Sequence, residues 1–166
     1  MTGLSQEQTE LLKKQIILKP LSSEEELRDW IYMFFDIYMP LGHIYEESNT
    51  SPVGAMWQIY CAVRDNTGDV TPGYTLLSSR DSYKTLSSSI LNILLMVHFK
   101  TTIAHCAAIE SQSQKAVEYC SSFLQKIMPY LEQYGWKKTS QNKRRIEVTT
   151  DKGEVCYIQI IILTLR

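Results

Sequence analysis

Apolar residues recur along this chain with two different periods. From residue 22 to residue 66 the spacing is helical. Leu27, Trp30, Ile31, Phe34, Phe35 and Tyr38 fall at i, i+3, i+4, i+7, i+8 and i+11, one wide stripe that predicts a helix docked on a core. Ser22-Ser23-Glu24-Glu25-Glu26 precedes it. Ser22 with Glu25, or Ser23 with Glu26, makes a capping box, and three carboxylates face the positive end of the helix dipole. Pro40 and Gly42 end the element. Ser51-Pro52 then reads as an N-cap with Pro at the first helical position. Val53, Met56, Trp57, Tyr60 and Val63 carry a second amphipathic helix to about residue 66, with Gln58 off the stripe. Ahead of both, Leu11, Leu12, Ile16 and Ile17 fit a short helix over 5–19, capped by Ser5 or Thr9, or a mobile arm.

After the turn-rich connector 66–73 the pattern changes. Residues 74–77 form a short apolar run, 85–99 a helix with Leu86, Ile90, Leu94 and Val97 on one face, and 101–109 a second apolar run. A long helix follows over 112–134, with Pro129 expected to kink it and Gly135 to stop it. Strand, helix, strand, helix predicts βαβ units and a mostly parallel sheet. The apolar runs do not alternate, which predicts strands covered on both faces. Residues 145–150, the turn Asp151-Lys152-Gly153 and the return 154–165 predict a β-hairpin.

Composition narrows the chemistry. The 166 residues suit one domain, and a net charge of −1 gives no global basic footprint for nucleic acid. Cys61, Cys106, Cys120 and Cys156 lack C-x-x-C pairing and, with His43, His98 and His105, offer poor zinc spacing; they read as reduced core residues. The longest apolar runs are too short to cross a membrane, and no signal peptide is visible, so a soluble intracellular protein is expected.

The stretch with the most chemistry is 73–85. An apolar run leads to Ser78, Ser79, Arg80, Asp81, Ser82 and Tyr83, and then Lys84-Thr85 opens a helix. A phosphate-binding loop needs that order: backbone N–H groups surround the anion, the helix N-terminus adds its dipole, Lys84 neutralises outer phosphates and Thr85 ligates Mg²⁺. Against G-x-x-x-x-G-K-[ST], Ser78 and Tyr83 replace the two glycines. A polar strand–helix connection is the competing reading. Tyr83 at a left-handed position would cost roughly 1 kcal/mol or more. At the end of the second run, Glu110-Ser111 leads to Gln112 and Gln114, either a nucleotide-sensing strand end or simple capping by Ser111 or Ser113. Lys137, Lys138, Lys143, Arg144 and Arg145, beside Trp136, form the one basic cluster, either solvated surface or a phosphate-backbone contact.

Taken in order, these residues resemble the N-terminal part of the ATPase domain of the large terminase subunit of tailed bacteriophages. The likeness rests on Met56-Trp57-Gln58-Ile59-Tyr60, Ser79-Arg80-Asp81-Ser82-Tyr83-Lys84-Thr85, Ala108-Ile109-Glu110-Ser111-Gln112-Ser113-Gln114 and the late hairpin ending at Arg166, and covers the chain from about residue 20. It implies an α/β, P-loop NTPase-like (ASCE) fold, incomplete here, with a helical region over 1–50 and the ATPase segment over 51–166. It implies a deviant Walker A loop with ATP and Mg²⁺ as cofactors. Arg80 and Lys84 would be catalytic, Ser78 to Thr85 would hold the phosphates and Thr85 the Mg²⁺, and Gln58, with Trp57 or Tyr60, would sit near the adenine. The implied activity is ATP hydrolysis coupled to DNA translocation during viral DNA packaging. The implied partners are double-stranded DNA, the portal, the small terminase subunit and the remainder of the ATPase domain, in the cytoplasm of the infected bacterial host.

No apolar run here is followed by the Asp-Glu of a Walker B strand, so the chain is expected to be a truncated front part that binds ATP weakly and barely hydrolyses it. Another class of function is a non-catalytic binding or regulatory module, or a remnant, pairing with another subunit through an open strand edge near 155–165. A helicase-like P-loop fragment is a third.

Overall fold

Ser5 accepts a hydrogen bond from the Gln8 N–H and Gln8 returns one from the Ser5 N–H, so the first helix opens with a capping box. It is α1 (Gln6–Ile16) in a computed structural model that describes residues 5–42, 50–65, 83–107 and 110–162. The other elements are α2 (Glu24–Phe35), α3 (Pro52–Arg64), α4 (Lys84–Phe99), β1 (Ile103–Ala107), α5 (Glu110–Glu132), β2 (Lys137–Gln141), β3 (Arg145–Thr149) and β4 (Val155–Ile162). α1 buries no residue of its own, yet it is tied down. The Tyr130 hydroxyl donates to Glu10 at 2.8 Å, and Gln133 and Tyr134 donate to the Lys14 carbonyl.

Ser23 caps α2 by accepting from the Glu26 N–H, while the Glu26 carboxylate accepts from the Ser22 N–H and hydroxyl, each at 2.8 Å. The two expected boxes merge into one. Leu27, Trp30, Ile31, Phe34 and Phe35 are buried as the stripe requires. Tyr38 is not: Asp36 turns left-handed at φ 59° and ends the helix, leaving Tyr38 73% exposed. The α3 start is as expected, with Ser51 accepting from the Gly54 N–H and Pro52 at the first turn.

The expected single apolar face of α4 is too narrow. Ile90, Leu91, Ile93, Leu94, Leu95, Met96 and Val97 are all buried, because α3, α5 and the sheet enclose this helix. One cluster of buried side chains runs from Ile17 and Trp30 through Met56 and Leu94 to Ile158, so the helices before residue 50 share a core with the later elements.

The described sheet has the order β1-β4-β3-β2 and is mixed. Only β1 and β4 are parallel, with Ile103 beside Ile158; the two other pairs are antiparallel. The expectation of a mostly parallel sheet is therefore not met among the described residues. β4 is flanked on both sides only at Ile158 and Gln159: 155–157 pair with β3 alone and 160–162 with β1 alone. Among the described residues, 155–157 and 160–162 each keep one side without a partner strand.

Ile146, Val148, Cys156 and Ile158 are buried on the helix side of the sheet. On the other side Ala104 and Cys106 are exposed, and Val155 and Ile161 are 49% and 42% exposed. No described element covers that face, so burial on both faces is not observed. A run of apolar residues conceals the alternation that the backbone imposes.

β2 was not expected as a strand. Its residues are polar and all exposed, and its ladder with β3 shifts register between Lys138 and Ser140. It follows the predicted stop at Gly135, whose φ is +80° and where a Cβ would meet that of Asp151 at 3.1 Å. α5 begins two residues earlier than expected and continues through Pro129. No helix among the described residues is long and apolar enough to cross a membrane.

Candidate functional site

Of the loop and helix start predicted to hold phosphate, Ser78, Ser79, Arg80, Asp81 and Ser82 lie outside the described residues, as does the apolar run 74–77. Tyr83, Lys84 and Thr85 are described, and they form the exposed start of α4. Tyr83 is the N-cap, with φ 59° and ψ 9°, and its side chain bonds none of the first-turn N–H groups. This left-handed residue stands where the phosphate-loop pattern asks for its second glycine. The first turn of α4 contains no acid and begins with Lys84. The positive end of a helix dipole favours an anion.

Behind this end the helix is held closely. The Ser89 hydroxyl reaches the Thr85 carbonyl at 2.7 Å and the Ala116 carbonyl of α5 at 3.3 Å. The Cys120 thiol reaches the Ser89 carbonyl at 3.6 Å. Ser87 and Ser89 are buried here, and their small size lets the two helices approach. Because Ser89 meets Ala116 early in both helices, α4 and α5 start at the same end of the molecule. That end is also the carboxyl end of the parallel pair β1–β4, since β1 runs directly into α5. Open α/β sheets bind ligands at such ends.

Gln58 is not brought to this end. It is exposed on α3, two residues from Tyr60, and the Tyr60 hydroxyl meets His98 near the last turn of α4 at 2.8 Å. Lys84 and His98 are separated by roughly 21 Å of helix. Tyr60 is fully buried and cannot face an adenine; Trp57 stacks on it at 5.5 Å and lies under Arg64.

Tyr60 instead belongs to a polar chain that the sequence did not reveal. The Leu21 N–H donates to the Tyr60 oxygen at 3.0 Å, so the Tyr60 O–H donates to His98 Nδ1. His98 Nε2 faces the Ile17 carbonyl at 3.2 Å and must carry the proton there, because a carbonyl only accepts. Burial pushes the His98 imidazole down to about 4, outweighing the opposite pull of the Ile17 carbonyl, so the neutral tautomer persists at pH 7. Its ring packs edge-on against Trp30 at 5.7 Å. The role is structural. An isolated His in an apolar helix was the one available signal.

The cysteines divide. Cys120 and Cys156 are buried, and burial pushes the Cys120 thiol up to about 11, which makes it a poor nucleophile. Cys106 is exposed on the uncovered sheet face, contrary to a core assignment. Among the described residues no group of three His, Cys, Asp or Glu side chains could hold a metal. Thr85 alone therefore represents the expected Mg²⁺ site in the described structure.

A second concave feature lies between α5 and the β2–β3 turn, a groove of about 620 Å³. Gln114, Ser121, Ser122 and Gln125 line one wall and Gln141, Asn142 and Lys143 the other, with Glu118 as its one acid. Compared with family models, with curated proteins and with solved structures, the chain matches none.

Proposed function

We propose that the start of α4 is the phosphate-holding part of a nucleotide site, in a chain that serves as the ATP-binding segment of a DNA-packaging terminase motor. The observation that carries this reading is the left-handed backbone at Tyr83, immediately before the exposed Lys84-Thr85. A plain strand–helix connection has no need of a strained tyrosine, and the local backbone matches what a glycine would supply in a Walker A loop. In this reading the first N–H groups of α4 and the Lys84 ammonium hold phosphate oxygens, and the Thr85 hydroxyl holds Mg²⁺. Arg80 would add a second cation. When bound, MgATP supplies the phosphoryl group whose hydrolysis a complete motor couples to DNA movement. Gln58 has no part in the proposal, given its position along α3.

The test is MgATP binding to the full chain, followed by isothermal calorimetry. Weak binding is expected, and Lys84→Ala should reduce it at least about tenfold, the scale of one charge-assisted phosphate contact, with an unchanged melting temperature. Binding that survives Lys84→Ala undiminished would refute the assignment, and so would a wild-type chain that binds no ATP.

A further inference from the structure

We infer that the β2 edge and the β2–β3 turn form a sequence-independent contact surface for the backbone of a nucleic-acid duplex. The inference stands on charge and shape and does not depend on the nucleotide site. Between residues 133 and 146 the chain contains five cations and no acid. With a net charge of −1 overall, the rest of the protein is acidic, so this is a local field rather than a general one.

Arg145 is already engaged, paired with Glu147 at 2.6 Å and lying 3.8 Å above the Tyr157 ring. Lys137, Lys138 and Lys143 make no ion pair with an acid among the described residues, and Lys138 donates to the neutral Gln141 side chain. Arg144 follows Lys143 in the turn and adds its charge to theirs. All five residues of β2 are exposed, and β2 is the last strand of the sheet among the described residues. The register shift at Lys138/Ser140 and the lysines discourage another strand from pairing there. An anionic partner is favoured where a strand is refused.

The spacing suits a polyanion. β2 from Lys137 to Gln141 spans roughly 13 Å, with Lys143 in the turn beyond it, against about 3.4 Å between successive phosphates along a duplex axis. Beside Lys143 the groove presents the carboxamides of Gln114, Gln125 and Asn142 and the hydroxyls of Ser121 and Ser122. Such neutral donors, together with Lys and Arg, are the groups that bind phosphate and sugar. None of the groove-lining residues is aromatic, so it offers no platform for unstacked bases and favours a duplex over a single strand. A lipid surface would be met better by apolar side chains among the lysines, and β2 has none.

The test is fluorescence anisotropy of the full chain with a labelled mixed-sequence DNA duplex of about 30 base pairs, longer than the contact surface. The assay contains no nucleotide, so its failure and that of the ATP site are separable. Between about 50 and 200 mM salt, log K should fall against log salt with a slope of about −3 to −4, the value for some four phosphate contacts. Replacing Lys137, Lys138, Lys143 and Arg144 together by Ala should weaken binding on the order of 100-fold at the low-salt end and flatten the slope. Lys13→Ala with Lys14→Ala on α1 should do neither. The exposed quadruple variant should keep its melting temperature. Equal loss in the α1 variant, a quadruple variant that binds as wild type, or binding to phosphatidylserine vesicles without duplex binding would each overturn the inference.

Discussion

At its carboxyl end α4 places His98 between Tyr60 of α3 and the carbonyl of Ile17, with each of the polar atoms involved partnered. At its amino end the same helix begins at a strained tyrosine and turns Lys84 and Thr85 outward. One end joins three elements through buried hydrogen bonds. At the other, the Tyr83 side chain caps none of the first-turn N–H groups. The contrast separates stability from chemistry along a single helix. Buried polar groups must be satisfied because leaving one unpaired costs about 1–3 kcal/mol, whereas an exposed helix start can keep its donors for an anion.

The sharpest way to break this comparison is His98→Ala. It removes a ring packed on Trp30, strands the Tyr60 hydroxyl and leaves the Ile17 carbonyl without its donor. A loss of about 3–4 kcal/mol is expected in urea unfolding. ATP binding measured on the folded fraction should be unaffected, and a variant as stable as wild type would remove the basis for the contrast.

Acid should act on the same end. His98 titrates near 4 in the folded chain and near its ordinary 6.5 when unfolded. Between those values the unfolded state binds more protons, so stability is complete above about pH 6.5 and is lost as pH falls towards 4. The full loss amounts to roughly 3 kcal/mol. Burial also holds His105 below its usual value and adds in the same direction, so the His98 share is the difference between wild type and His98→Ala across the series. Parallel pH profiles for the two proteins would contradict the buried neutral imidazole.

The smallest effect belongs to the other end. Tyr83→Gly relieves a left-handed side chain and should raise stability by about 1 kcal/mol or slightly less, since glycine also adds freedom to the unfolded chain. It should tighten ATP binding as well. A destabilised variant would mean that the Tyr83 ring, 54% exposed, makes contacts worth more than the strain.

Much of the fold was legible because its signals are local. Ser23, Ser51 and Pro52 act on the N–H groups beside them, and the α2 stripe needs only a 3.6-residue period. Gly135 and the Asp151–Gly153 turn declare themselves by backbone freedom that few other residues have. β2 escaped detection because Lys137-Lys138-Thr139-Ser140-Gln141 contains no apolar residue to alternate; its pairing with β3 makes it a strand. Tyr38 kept the helical phase in sequence but lost the helix at Asp36. How much of the edge near 155–165 stays open was not legible, because strand order is a property of the sheet and not of any strand.

The sequence by itself determined which segments are helical, where the hairpin turns, that Lys84 and Thr85 open a helix, and that the cations gather over 137–145. Only the tertiary structure decided that β4 lies between β1 and β3, that one face of the described sheet is left uncovered, that His98 is neutral, and that the starts of α4 and α5 share one end with the carboxyl end of β1. The division has a physical origin. Periodicity and capping depend on neighbours within a few residues, whereas strand order, burial and the titration of a buried ring depend on residues brought together from distant parts of the chain, as Leu21, Tyr60 and His98 are here.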